Sequence, residues 1–197
     1  MENTILINRL ESIKRDYTAD NIDQLIFELK NEILRSSGSY KDKGKAAQTK
    51  AALNLLKKLS KKPRKVLSYA SIQNGYQYLT DSYHAFKLKE FLELPSAEAA
   101  GFTYPAMERL FPKKENAMQK IDDFDFNLYL NKLKIKEKIG NYNNNEINEY
   151  FDLNFIKNVY NILGTLKLEV YYFGRLKPLL FIDPATGNEA VVLPVYN

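Results

Sequence analysis

Pro63 divides the chain into two hydrophobic textures. Proline lacks a backbone donor and its ring clashes with the preceding turn, so a helix does not run through it undisturbed. Before Pro63 the apolar residues recur at helical spacing. Leu6, Leu10, Ile13 and Tyr17 form one stripe, and Ile22, Leu25, Ile26, Leu29 and Ile33 a second at i, i+3, i+4 and i+7. Asp20 or Asn21 can cap the second helix, and Ser36-Ser37-Gly38-Ser39 ends it. A third helix is predicted over 45–59, with Ala47, Ala51, Leu55 and Leu59 on one line. These spacings place a boundary at 61–65, between a basic helical segment (1–62) and an α+β domain (66–197).

After Pro63 short β-prone runs take over. Residues 66–71 and 76–80 are joined through Asn74-Gly75, a favoured hairpin pair, and 84–88 continues as a strand. Pro95, Gly101, Pro105 and Pro112 make 95–112 an irregular connector. Asp122 or Asp123 opens a helix to about Lys138, with Phe126, Tyr129, Leu130 and Leu133 buried. The five asparagines of 141–148 read as a polar loop. Asp152 caps a helix to Leu163, with Ile156, Val159, Tyr160 and Leu163 as its stripe, and Gly164 is its left-handed stop. Strands at 167–173, 177–182 and 189–195 finish the chain.

Composition removes whole classes of function. The 197 residues are 45% hydrophobic, enough for a core, and contain no Cys and a single His. That excludes a disulfide framework, a thiol nucleophile, Cys-ligated zinc and paired-His metal motifs. No apolar run approaches the ~18 residues of a membrane span, and MENTILINRL lacks the features of a secretory signal. The expectation is a soluble cytoplasmic protein without metal or cofactor.

Charge is uneven. Residues 1–65 hold 15 Lys+Arg and 8 Asp+Glu, a net of +7, and the rest of the chain is net −2. Ten basic residues and one acid lie in 41–65. Such a field attracts polyanions, although a solvated helix face followed by a basic linker would read the same way.

No catalytic constellation emerges. Gly38 to Gly44-Lys45 has the wrong spacing for a phosphate loop, no Ser or Thr after the lysine and no strand before it. Asp122, Asp123 and Asp125 fit a helix N-terminus, where the dipole favours acids. His84 has no evident carboxylate or serine partner in sequence and reads as structural. Most aromatics fall on predicted buried faces, although aromatic residues beside lysines can stack on unpaired bases. Lys132 with Lys136, and Lys134 with Lys138, form like-charge i, i+4 pairs. Such pairs cost a few tenths of a kcal/mol, which a surface facing phosphates would tolerate.

Four segments from residue 66 onward carry a resemblance. NGYQYLTDSYHAFKL (74–88) matches a strand ending in T-D-G-H-R-L at Thr80 and Asp81, with Ser82 in place of the glycine. YPAMERLFPKKEN (104–116) matches F-P-D-Y-x-R-V-x-P through Pro105, Arg109, Leu110 and Pro112. FDLNFIKNVYNIL (151–163) matches a helix start F-N-x-x-Y-L-x-D-x-L, and KPLLFIDPATGNEAVVLPVYN (177–197) a closing hairpin ending in M-P-x-R. In this order they resemble the bacterial DNA sliding clamp, the beta subunit of DNA polymerase III. Thr80 and Tyr104 are closer in sequence than in the family, the 141–148 loop is shorter, and a basic helical segment stands where the family has its first domain.

The resemblance implies a reduced clamp-like domain with two helices packed on an antiparallel sheet. It also implies a hydrophobic cleft that binds peptides of protein partners. Matched motif by motif, the cleft is formed by Thr80, Tyr83, Ala85, Pro105, Leu110, Val191, Val192, Leu193, Pro194 and Val195. The fold class expected is α+β. The function expected is a non-enzymatic DNA-replication accessory protein, acting in polymerase processivity, that binds a partner peptide in the cleft. DNA would be held by Lys57, Lys58, Lys61, Lys62, Arg64, Lys65, Lys132, Lys134, Lys136 and Lys138. A homo-oligomer is expected if a ring closes. The alternative is a phage-type interaction or inhibitor protein that mimics the clamp fold and sequesters replication partners without binding DNA.

Overall fold

The computed structural model describes residues 26, 28, 29, 32, 33, 40–122, 124–134, 137–143 and 148–195. The chain divides into two compact units, 1–38 and 39–197. In the first, the described residues are helical, with Leu29 half-buried and Ile26 and Ile33 exposed. The stripe Leu6, Leu10, Ile13 and Tyr17 lies outside the described residues.

The second unit packs a helix layer on a sheet. Its helices are α1 (Lys45–Leu59), α2 (Phe126–Lys134) and α3 (Leu153–Leu163). Its strands are β1 (Ser71–Gln73), β2 (Tyr76–Thr80), β3 (His84–Leu88), β4 (Gln119–Ile121), β5 (Ile139–Asn143), β6 (Asn148–Asp152), β7 (Glu169–Tyr172), β8 (Leu179–Ile182) and β9 (Glu189–Val192). Seven strands form one antiparallel sheet in the order β1-β2-β3-β9-β8-β7-β4, and β5 pairs with β6 apart from it. The β3–β9 pairing makes the sheet continuous between the first hairpin and the end of the chain.

Period-two alternation sorts the strands into two faces. Leu79, Phe86, Ala190, Phe181, Val170 and Ile121 lie on one row, and Phe124 and Phe126 pack against Phe181 at 5.4 and 5.7 Å. That is the helix face. Thr80, Ala85, Val191, Leu180 and Tyr171 share a row on the opposite face.

The helix α1 runs from Lys45 to Leu59 as the periodicity predicts. Its buried side is Ala52, Leu55, Leu56 and Leu59, whereas Ala47 is exposed. Lys57 and Lys58 in its last turn oppose the negative end of the helix dipole. The unit boundary falls at Gly38–Ser39 rather than at 61–65, because α1 and the segment before it are tied to α3. Tyr160 donates its hydroxyl to the Lys41 carbonyl at 2.6 Å, and the Lys43 amide donates to the Gly164 carbonyl at 2.6 Å. The Gln48 side-chain amide donates to the carbonyls of Leu163 and Lys43, both at 3.2 Å.

Asp152 caps α3 by accepting from the Asn154 amide at 2.7 Å, and Gly164 ends it at φ 84°. The predicted stripe Ile156, Val159, Tyr160 and Leu163 is buried. The turn between β1 and β2 has Asn74 at φ 50° and Gly75 at φ 79°, as a type I′ hairpin requires. Three expectations change. Residues 65–68 form a 3-10 turn, and the strand begins only at Ser71. The ends of the asparagine-rich 141–148 segment, residues 141–143 and 148, belong to paired strands β5 and β6, since cross-strand pairing outweighs weak local propensity. The helix α2 begins at Phe126, after Asp125 accepts from the Leu128 amide at 3.0 Å, and is described to Lys134, and residues 137 and 138 are no longer helical. No helix among the described residues is long and apolar enough to cross a membrane.

Candidate functional site

The turn from β2 to β3 is built by its own side chains. Thr80 donates its hydroxyl to the His84 carbonyl at 2.8 Å and accepts from the Ser82 amide at 3.0 Å. Asp81 Oδ1 accepts from the Tyr83 and His84 amides, both at 2.9 Å, and meets His84 Nδ1 at 2.7 Å. Burial opposes ionisation of Asp81. The bonds from the His84 ring and from these two amides outweigh it and hold the carboxyl below its ordinary pKa. Ser82 is forced to φ 81°, a region that favours glycine.

His84 is structural, and it has the carboxylate partner that its sequence surroundings did not reveal. The ring is 2% exposed. It stacks on Phe155 at 4.8 Å and meets the edge of Phe86 at 5.2 Å. Asn158 Nδ2 lies 3.0 Å from Nε2, so the ring bridges Asp81 and Asn158. His84 therefore ties the turn to α3.

The turn ejects Tyr83. Its ring is 59% exposed and stacks on Phe155 at 5.8 Å and 13°. Its carbonyl accepts from the Leu193 amide at 2.9 Å, which sets the exposed Leu193 beside it. The Val195 amide donates to the Tyr150 carbonyl at 2.8 Å, and Pro194 and Val195 are half-buried.

The ten expected cleft residues fall into distinct groups. Thr80, Ala85 and Val191 are neighbours on one row of the sheet, but all three are buried. Val192 is opposite His84 on the helix face and fully buried, so it does not line the same face as Val191. The connector crosses the Thr80 face, where Phe111 packs on Tyr78 at 5.9 Å. Gln73 fixes it by donating to the Pro105 carbonyl at 2.9 Å and accepting from the Met107 amide at 3.1 Å. Met107 and Tyr104 are buried, and Pro105 and Leu110 are exposed. The exposed members of the ten are therefore Tyr83 and Leu193, and Pro105 and Leu110 on the connector.

The basic set also divides. Lys57, Lys58, Lys61, Lys62, Arg64 and Lys65 are all exposed around the end of α1. Lys58, Lys62 and Arg64 line a groove of about 580 Å³ together with Tyr83, Phe155 and Asn158. The sequence motifs assign Tyr83 and these cations to separate sites. Only the folding of the α1 end against the β2–β3 turn and the start of α3 joins them. Lys132 is a correction, because it is 5% exposed with its ammonium 5.8 Å from the Tyr129 ring centre, and so does not face phosphates. Lys138 is exposed but lies beyond the end of α2, which removes its predicted helical pairing with Lys134. Lys136 and the side chain of Lys134 lie outside the described residues.

No family model matches the sequence, and no curated protein matches it. Among solved structures, the DNA polymerase sliding clamp from Caulobacter crescentus matches with a TM-score of 0.52 at 11% identity, over 76% of this chain and 64% of that one. The fold is that of a bacterial sliding clamp in reduced form. The DNA polymerase III beta chain from Streptococcus pneumoniae is also similar, with a TM-score of 0.49 at 12% identity, over 74% of this chain and 63% of that one. The chain thus spans less than two thirds of either clamp. The clamp-like unit places glycine-type backbone at Ser82, where the T-D-G motif has its glycine.

Proposed function

We propose that this chain is a non-enzymatic DNA-replication accessory protein, a clamp-like platform that docks partner peptides and contacts DNA. The observation that carries the reading is the unbroken sheet from the β2–β3 hairpin into β9, which leaves Tyr83 and Leu193 exposed side by side. A partner peptide of the clamp-binding type would anchor apolar side chains on this pair and on Pro105 and Leu110, with Thr80, Ala85 and Val191 as the packed floor. A few anchored side chains supply most of the affinity in such contacts. Lys57, Lys58, Lys61, Lys62, Arg64 and Lys65 would hold DNA by counterion release.

The test pairs calorimetric titration of a clamp-binding-type peptide with a salt titration of duplex binding. The reading expects peptide affinity to fall when Tyr83 and Leu193 are changed to alanine. It also expects the salt slope of duplex binding to fall when Lys57, Lys58, Lys61 and Lys62 are changed to glutamine. Absence of peptide binding by the wild-type chain overturns it. The burial of Lys132 favours a second reading, a clamp mimic that sequesters replication partners without holding DNA. Peptide binding without any duplex affinity selects that reading.

A further inference from the structure

We infer that the groove between the end of α1 and the β2–β3 turn holds an unpaired base of a single-stranded nucleic acid, stacked on Tyr83 with flanking phosphates on Lys58, Lys62 and Arg64. This rests on the reading that the chain contacts DNA through the end of α1. It adds the strandedness of the ligand and an aromatic platform that charge alone does not supply.

Three features select this ligand. The first is charge. Lys58, Lys62 and Arg64 line the groove, and none has an ion pair among the described residues. The lining carboxylate, Asp81, is already bound by the His84 ring and two backbone amides. An anion is therefore attracted, since three cations outnumber the one lining carboxylate. The second is the platform. Phe155 backs one face of the Tyr83 ring, and the tyrosine is still 59% exposed, which leaves its outer face open for stacking. Bases stack on such rings without regard to sequence. The third is a polar edge. Asn154 and Asn158 line the groove, and Asn158 engages His84 with Nδ2.

On its α1 side the groove offers a peptide little apolar surface. A helix or strand would need an apolar stripe to bury, and Leu55 and Leu59 in this wall are each only 7% exposed. The volume of about 580 Å³ lies within the roughly 300–1,000 Å³ of small-ligand sites, which gives room for a base.

The experiment is fluorescence anisotropy of the full chain with a short labelled oligothymidylate and, separately, a duplex. Variants are Tyr83→Ala, Tyr83→Phe and the double change Lys58→Gln with Lys62→Gln. Tyr83→Ala is expected to weaken oligothymidylate binding by roughly tenfold and leave duplex binding unchanged. Tyr83→Phe keeps the platform and should retain binding. The lysine variant should weaken oligonucleotide binding and lower its salt slope by about 0.7 for each phosphate no longer neutralised. Equal oligothymidylate affinity in wild type and Tyr83→Ala, with duplex still bound, overturns this inference and leaves the DNA contact of the proposed function standing. Failure of the wild type to bind either nucleic acid overturns both, whereas peptide docking would be unaffected.

Discussion

Asp81 Oδ1 lies 2.7 Å from His84 Nδ1 across the β2–β3 turn, and the far nitrogen of the same ring meets Asn158 on α3. One carboxylate thus shapes the turn and, through the imidazole, joins the sheet to the helix layer. Because the carboxyl is held below its ordinary pKa, its contribution is fully present above the unfolded carboxylate value. It is lost as pH falls through the lower folded value. Asp81→Asn should cost about 1–3 kcal/mol at neutral pH. Denaturant midpoints measured from pH 7 downward should show the gap between variant and wild type closing in acid. A gap independent of pH would contradict an ionised Asp81 carboxylate.

Gly164 faces two constraints at once. Its φ of 84° disfavours any side chain, and an added Cβ would meet the Lys43 carbonyl at 2.9 Å and the Gln48 side chain closer still. Gly164→Ala should destabilise the second unit by roughly 2–4 kcal/mol, from backbone strain together with displacement of the α1–α3 tie. Thermal unfolding monitored by circular dichroism checks this. Gln48→Ala is expected to have a smaller effect, since it removes hydrogen bonds and creates no clash.

Ser82 occupies left-handed backbone without being glycine. Ser82→Gly relieves that strain and keeps the amide bond to Thr80, while it adds entropy to the unfolded chain. The net result should be a gain of about 0.5–1 kcal/mol. An unchanged or lowered denaturation midpoint would show that the serine conformation costs nothing here.

Tyr83 and Leu193 are exposed, and Tyr83 loses its stacking on Phe155 when shortened, so Tyr83→Ala and Leu193→Ala should each cost no more than about 1 kcal/mol. Val191→Ala, on the buried floor, should cost about 1–3 kcal/mol. Unfolding curves for the three variants, read beside peptide titrations, separate docking residues from supporting ones.

Local chemistry made much of this fold legible in advance. The α1 bounds followed from periodicity and from Pro63, the α3 bounds from the Asp152 cap and Gly164, and the first hairpin from Asn74-Gly75. Each signal acts within a few residues and reads the same whatever the chain packs against. The short edge strand β4 and the asparagine-rich β5–β6 hairpin were not legible, because their residues have weak strand preference and pair only once distant partners are in place.

The site divides along the same line. Sequence motifs pointed to Thr80, Tyr83, Ala85, Val191 and Leu193 as a group, and the sheet does make them neighbours. Which of them reach solvent is decided by the connector and by strand alternation, which bury Val191 on one face and Val192 on the other. The sequence by itself determined α1 and α3, their stops and the basic charge near Pro63. Tertiary packing alone decided that Lys58, Lys62 and Arg64 share a groove with Tyr83 and that Lys132 is buried. Proximity between residues far apart in the chain depends on how whole layers close, and spacing along one strand or helix does not contain that information.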